Sequence, residues 1–298
     1  MGKASRNKRA GSTRDRIAAQ REAVRRRELR NRVFFASGAV VVVIAIVLAF
    51  VLVKINKSPA KASDTPAAGS TLSASVLSDI ATVPATTLAA VGAGTTYSKP
   101  LIPVTGSLLT SAGKPEVLYI GAEFCPYCAT ERWAMAVALS RFGTFTGLHG
   151  IHSDPSDVFP NTPTLTFYKS TYTSKYVVFT PVETETVSKA TLQTPTSAQQ
   201  ALISKYDAAP YVPSSSAGSI PFVDFGNKYI ISGASYNPQV LQGKTWSEVA
   251  AALSDPSSDI AKGADGAANL ITAAICKLTS NQPGSACTSE VQSLEKSL

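Results

Sequence analysis

The longest uninterrupted apolar segment of the chain covers residues 33–53, twenty-one positions without a charged side chain. As an α-helix this segment would be roughly 31 Å long, about the thickness of a bilayer's hydrocarbon core. A buried core helix would keep some polar positions for a solvent face, and this segment has almost none. The pattern therefore predicts a single transmembrane helix. A cleaved signal peptide is the alternative, since Ala60-Lys61-Ala62 resembles a cleavage site, but its apolar region is usually shorter.

The next segment, residues 54–99, is rich in Ala, Ser, Thr and Pro, and its apolar positions are few and scattered. Such a composition is typical of a linker that separates a folded part from a membrane. We expect one short helix at most, over residues 81–91, and folded structure from Pro100 onward.

Residues 100–253 alternate between strand-like and helix-like patterns. Residues 116–122, EVLYIGA, form a short apolar run of strand formers that predicts a buried strand. Residues 126–142 follow directly, with apolar side chains at helical spacing, and predict a helix. The segment 148–185 contains further β-rich pieces, and residues 197–206 predict another helix.

The remainder contains a hairpin and more helix. Residues 219–233 contain two strand-like runs joined by Gly226-Asn227, a typical hairpin turn. Thr245 opens a helix with Glu248 three positions later, the pattern of a capping box. Residues 254–298 are predicted to form a separate helical tail that carries a pair of cysteines.

The charge of the chain is concentrated at one end. Residues 1–32 contain twelve of the 28 Lys and Arg and three of the 20 Asp and Glu, a local charge of +9, while the rest of the chain carries −1. This basic arm predicts that the N-terminus is cytoplasmic, and that the chain after the transmembrane helix lies outside the cytoplasm, anchored to the cell membrane. No aromatic residue interleaves its arginines, so the expected partner is the membrane bilayer and not nucleic acid.

Two cysteines occupy the predicted turn between strand and helix, in Cys125-Pro126-Tyr127-Cys128. The free N–H groups and dipole of a helix N-terminus stabilise a thiolate, which makes Cys125 a candidate nucleophile. Cys128 lies one turn later on the same face, where it can attack a mixed disulfide formed at Cys125. The motif predicts thiol–disulfide chemistry.

Two other interpretations of this pair are weaker. Cys125, Cys128, His149 and His152 form a two-Cys, two-His set, but the gaps of twenty and two residues do not fit a zinc finger, and no metal is expected. A purely structural disulfide between Cys125 and Cys128 would close a loop too small to constrain the unfolded chain.

The second pair, Cys276 and Cys287, is separated by ten residues that include Pro283 and Gly284. In an oxidising compartment these cysteines are expected to form a structural disulfide across a loop. A second redox pair that passes electrons to the first is the alternative.

A strand, a C-P-Y-C at the next helix start and a later X-Pro before a hairpin and helix resemble the thioredoxin superfamily. Within it the pattern resembles membrane-anchored, DsbA-like disulfide oxidoreductases, and the design is also similar to a domain-of-unknown-function family of membrane-tethered thioredoxin-like proteins. The resemblance implies an α/β, thioredoxin-like fold with an inserted segment over residues 100–253, preceded by a single N-terminal transmembrane helix.

The resemblance also implies further site residues. In this superfamily the residue before a cis-proline faces the active disulfide and receives the substrate backbone. We assign this role to Ile220 and Pro221, because a hairpin and a helix follow them, and not to Thr162-Pro163. Tyr127, between the cysteines, is a candidate for partner contact. Glu123 is a candidate for proton transfer, or else a solvent-facing strand end.

The sequence therefore predicts an extracytoplasmic thiol–disulfide oxidoreductase that acts on cysteines of exported proteins. It needs no bound cofactor, only a redox partner, which for an oxidase would be a quinone-linked membrane protein. Oxidase, isomerase and reductase remain open, because they differ in reduction potential. The alternative is a binding or scaffolding module at the cell envelope with an inert disulfide.

Overall fold

The computed structural model describes residues 69–298. The predicted basic arm, the transmembrane helix over residues 33–53 and the first part of the linker lie outside the described residues. Within residues 69–298, no single helix is both long and apolar enough to cross a bilayer. Two short helices, Ala74–Ala81 and Ala85–Val91, reach that length and hydropathy only when combined, and they are bent by 60°.

The described chain is a mixed α/β domain. Its strands are β1 (Ser70–Thr71), β2 (Ile102–Pro103), β3 (Thr110–Ser111), β4 (Lys114–Gly121), β5 (Gly143–Thr146), β6 (His149–His152), β7 (Pro163–Thr166), β8 (Thr171–Ser174), β9 (Val178–Glu183), β10 (Phe222–Phe225) and β11 (Tyr229–Ser232). Its helices are α1 (Ala74–Ala81), α2 (Ala85–Val91), α3 (Pro126–Ser140), α4 (Ser197–Tyr206), α5 (Trp246–Ala252), α6 (Asp259–Leu278) and α7 (Ser289–Glu295), with a 3₁₀ turn at Pro238–Leu241.

The central sheet is built around β4. Strand β9 pairs with β4 in parallel, β10 pairs with β4 antiparallel, and β11 and then β2 continue the sheet beyond β10. The short strand β3 pairs with the first residues of β4. A parallel pair needs a crossover connection. Here the connection contains α3 and an inserted segment with the pairs β5–β8 and β6–β7.

Both faces of the sheet are covered, which explains the continuous apolar run in β4. Side chains alternate across a strand, so Val117 and Tyr119 face one core and Leu118 and Ile120 face the other. The first core is formed with α3 and α6, and the second includes Tyr206 at the end of α4. The carboxyl end of β4 leads directly into α3 and its cysteines.

The hairpin, the helix over residues 197–206 and the capping box at Thr245, all predicted from the sequence, are confirmed. Strands β10 and β11 are joined by Gly226, Asn227 and Lys228. The φ angles of +63° and +56° at Gly226 and Asn227 suit a tight turn, which is closed by a hydrogen bond from the Lys228 N–H to the Phe225 carbonyl. Helix α4 has the predicted bounds. Helix α5 starts after Thr245, whose hydroxyl and the Glu248 side chain form the predicted capping box.

The linker predicted up to residue 99 is wrong for its described part. Strand β1 pairs with β6, and helices α1 and α2 bury Val76, Ile80 and Leu88 in the main core. These apolar positions recur at helical spacing inside a segment of small polar residues, and the spacing matters more than the composition. The folded domain therefore includes residues 69–99.

The separate tail predicted over residues 254–298 is also wrong. Helix α6 packs along α3 and is buried over most of its length. On another side of α6 a glycine allows a close approach to the loop that follows α2: a Cβ at Gly266 would lie 2.5 Å from the carbonyl oxygen of Ala93. Helix α6 is therefore a core element of the same domain, and α7 packs against it.

Cys276 and Cys287 form a disulfide that links the end of α6 to the loop before α7. We expect the double substitution Cys276→Ser, Cys287→Ser to lower the free energy of unfolding by about 2–3 kcal/mol, because the bridge closes a short loop of the unfolded chain. Urea unfolding followed by circular dichroism measures this loss. The reactivity of Cys125 should stay unchanged, and a changed reactivity would support the alternative of a second redox pair.

Candidate active site

Cys125 and Cys128 lie at the start of α3, shortly after the end of β4. Cys125 is the N-cap of α3, and its Sγ accepts a hydrogen bond from the backbone N–H of Cys128 at 3.3 Å. Pro126 occupies the first turn, where a helix has no partner for the N–H that proline lacks. The cap therefore turns the Cys125 sulfur toward the free N–H groups of the helix.

The two thiols have different environments. The hydrogen bonds from Cys128 and the charge of Arg132 lower the pKa of the Cys125 thiol, although burial acts in the opposite direction. Cys128 is fully buried, and this burial raises the pKa of its thiol well above the usual value. A low-pKa thiol beside a high-pKa thiol is the arrangement that a nucleophile and a resolving cysteine need.

The structure brings Ile220 to the cysteine pair. The Cys125 thiol donates a hydrogen bond to the carbonyl oxygen of Ile220, with 3.8 Å between sulfur and oxygen, and the Ile220–Pro221 peptide is cis. The competing peptide, Thr162–Pro163, is not among the cis peptides of residues 69–298. The Pro163 carbonyl instead accepts a hydrogen bond from the indole N–H of Trp133, at the start of β7.

Tyr127 lies between the cysteines at the protein surface, with 37% of its area exposed. Its ring meets the edge of Phe159 with 5.8 Å between centroids, and Val158 beside Phe159 is 64% exposed. Tyr97 is also exposed. The pKa of its hydroxyl is raised, first by partial burial and second by the nearby Tyr127 hydroxyl. We call Tyr97, Tyr127, Val158 and Phe159 the aromatic rim. Sequence analysis missed Tyr97 because it lies in the predicted linker.

Glu123, two residues before Cys125, is only 5% exposed. The interpretation of a solvent-facing strand end is therefore wrong. Its carboxylate accepts a hydrogen bond from the Thr166 hydroxyl at 2.8 Å, and burial raises the pKa of the carboxyl.

An ion pair that the sequence analysis missed lies beneath the cysteines. Arg132 on α3 and Glu183 at the end of β9 are both fully buried and joined by two hydrogen bonds. The two residues are fifty-one positions apart, so no local sequence pattern indicates that they form a pair. One signal was present in the sequence: Arg132 and its neighbour Glu131 are the two charged residues of a helix that is otherwise made of apolar and small polar residues.

The two histidines of the zinc interpretation do not join the cysteines. Within residues 69–298, no three His, Cys, Asp or Glu side chains lie close enough to share a metal ion. The His152 ring packs against Trp246 with 4.6 Å between ring centroids and 43° between the ring planes, and burial lowers the pKa of its imidazole. His149 bonds through Nδ1 to the carbonyl of Gly147.

Comparison with known proteins gives one match. Residues 101–277, more than half of the chain, match the model of a family described as "Domain of unknown function (DUF929)". The match runs from just before β2 into α6 and so includes both cysteines and Ile220. No curated protein and no solved structure matches the chain.

Proposed function

The chain belongs to the DUF929 family, and for it we propose thiol–disulfide exchange through Cys125 and Cys128. The observation that carries this proposal is the unequal pair at the start of α3. Cys125 caps the helix with a lowered thiol pKa, and Cys128, one turn on, is buried with a raised one. A structural dithiol has no need of this difference.

The architecture supports a thioredoxin-like fold. Strand β4 leads into the cysteine helix, and a parallel partner, β9, follows through a crossover that includes α3. The proline before β10, the β10–β11 hairpin and the helix α5 then follow in the order that the resemblance implies. Segments β5 to β8 provide the insertion.

The proposed reaction has two steps. In the reducing direction, the Cys125 thiolate attacks one sulfur of a substrate disulfide, a new S–S bond forms, and the other substrate sulfur leaves as a thiolate. Cys128 then loses its proton and attacks Sγ of Cys125, which releases the second substrate thiolate and closes the Cys125–Cys128 disulfide. Two electrons pass from the cysteine pair to the substrate. The same steps in reverse oxidise a substrate dithiol and leave the pair reduced.

We propose that Ile220 and Pro221 receive the substrate backbone, because the Ile220 carbonyl borders the Cys125 sulfur. Tyr127 and its rim neighbours then contact the side chains that flank the reacting cysteine. Glu123 is proposed to receive the Cys128 proton, since a buried carboxyl with a raised pKa can accept a proton and return it.

The partners follow from the predicted topology. A basic arm before an apolar segment supports an extracytoplasmic domain tethered to the bilayer, with exported cysteine-containing proteins as substrates. The pair itself carries the electrons, so the reaction requires no bound cofactor. An oxidase would return its two electrons to a quinone-linked membrane protein.

A redox titration of the full chain tests the proposal. The chain is equilibrated in glutathione buffers of defined potential, its free thiols are alkylated, and the Cys125–Cys128 disulfide is quantified by mass spectrometry. We expect a reversible transition, above about −200 mV for an oxidant or isomerase and near about −270 mV for a reductase. A pair that stays oxidised below about −300 mV would instead leave a disulfide-stapled binding module.

A further inference from the structure

Arg132, on α3, makes three hydrogen bonds that connect this helix to two other parts of the site. Its Nε donates to Oε1 of Glu183 at 2.8 Å, and its Nη2 donates to Oε2 of Glu183 at 2.6 Å. Nη2 also donates to the carbonyl oxygen of Ala122 at 2.7 Å. Since Ala122 follows β4 and Glu183 ends β9, the guanidinium connects both strand ends to α3 directly under the cysteine turn.

This arrangement is costly as a structural device. Two fully buried charges lose their hydration, and apolar side chains of similar volume often give equal or greater stability. The third nitrogen of Arg132, Nη1, is buried and has no hydrogen-bond partner among residues 69–298, which adds to the cost. A purely structural role therefore explains the pair poorly.

The surroundings of Arg132 show which groups feel its charge. On α3, Arg132 lies four residues after Cys128 and seven after Cys125, so all three lie along one face of the helix. The Tyr119 ring of β4 lies 5.9 Å from the guanidinium carbon, and Glu123 and Glu183 are the acidic groups near it. Glu183 cancels part of the positive charge, and the thiols feel the remainder.

We infer that Arg132 is the buried counter-charge of the cysteine pair, a positioning residue that favours the thiolate of Cys125 and thereby the dithiol state, and that Glu183 sets how much of this charge remains. Within a poorly solvated site such a charge acts more strongly than it would in water. The lowered pKa of Cys125 agrees with this role, since Arg132 is among its causes. The inference rests on the proposed function, because stabilising the thiolate makes the pair a stronger oxidant.

The test compares the loss of the positive charge of the ion pair with the loss of its negative charge. In a Cys128→Ala background Cys125 is the single free thiol of the chain, since the other two cysteines form a disulfide. The rate of iodoacetamide alkylation at Cys125 is followed from pH 4 to pH 10 in the full chain. We expect Arg132→Met to move the midpoint of this profile upward by about one pH unit, and Glu183→Gln to move it downward.

Further variants separate charge from structure. Arg132→Lys keeps the positive charge and should restore much of the wild-type profile. Arg141→Met removes a half-buried arginine at the far end of α3, which bonds to Asn269 and Thr272, and should leave the profile unchanged. Circular dichroism identifies any variant that fails to fold. If Arg132→Met is one of these, the isosteric Glu183→Gln variant decides the question.

Shifts in opposite directions for Arg132→Met and Glu183→Gln support the inference, because general damage to the site would move both profiles the same way. Unchanged profiles, or shifts in the same direction, would overturn it. In the background with both active cysteines, Arg132→Met should also lower the reduction potential. The alkylation profile does not depend on disulfide exchange. A wild-type cysteine pair that never exchanges would therefore contradict the proposed function, while the shifts in the alkylation profile would still test the role of Arg132.

Discussion

Replacing Cys125 with serine is expected to abolish thiol–disulfide exchange and to leave the fold intact. The nucleophile is the thiolate of Cys125, and a serine hydroxyl forms no disulfide with a substrate. Cys125 is small and buried at a helix N-cap, a position that serine also fills well, so the helix should keep its start. Reduction of a disulfide-containing protein such as insulin, followed by its turbidity, should fall to the rate seen without enzyme.

Cys128→Ser provides the matched control for this loss. Its Cys125 thiolate still attacks, but the resolving step is missing, so mixed disulfides with substrate proteins should accumulate and run as reducible bands on a non-reducing gel. The Cys125→Ser variant should form none. If Cys125→Ser retains exchange, or if the bands form through Cys128 instead, the assignment of nucleophile and resolving cysteine is wrong.

The parts of the site that the sequence predicts are those that depend on local chain geometry. The β4–α3 turn places Cys125 and Cys128 within four residues, and apolar periodicity alone locates such a turn. The contact from Cys125 to Ile220 spans ninety-five residues and was predicted from the family resemblance, since no local pattern reports it. The Arg132–Glu183 pair has no such precedent and was missed.

The errors in domain bounds have a different cause. Helices α1 and α2 consist largely of Ala, Ser and Thr, and their few apolar residues are buried only because α3, α5 and α6 provide surfaces for them. Composition measures the average polarity of a segment, whereas burial depends on which face meets a partner. The same holds for α6, whose Gly and Ala residues indicate close packing more than an exposed tail.

Asp265, on the buried face of α6, should make the protein less stable as the pH rises. Its side chain is fully buried, neither carboxylate oxygen has a hydrogen-bond partner within residues 69–298, and burial raises the pKa of the carboxyl to about 8. Below about pH 4 the folded and unfolded chains both hold this proton. Between about pH 4 and pH 8 only the folded chain keeps it, so the unfolded state is increasingly favoured.

Asp265→Asn removes this titration and should therefore stabilise the protein at neutral and alkaline pH. The raised pKa of Asp265 lowers the free energy of unfolding by up to about 4 kcal/mol at pH 7. We expect Asp265→Asn to restore about 2 kcal/mol of this, because a buried amide keeps a desolvation cost of its own. The gain should vanish near pH 4. Urea unfolding at pH 4, 6 and 8 measures it.

The exposed Asp259→Asn variant on the same helix is the control for the substitution itself and should show no comparable gain in stability, since that side chain is 83% exposed. Glu131, also buried and with its pKa raised to about 7, accepts hydrogen bonds from the N–H and hydroxyl of Ser235. Its titration should keep part of the slope in Asp265→Asn. A gain of equal size at pH 4 and pH 8 would show that Asp265 acts through packing, and that its proton does not contribute to the stability of this core.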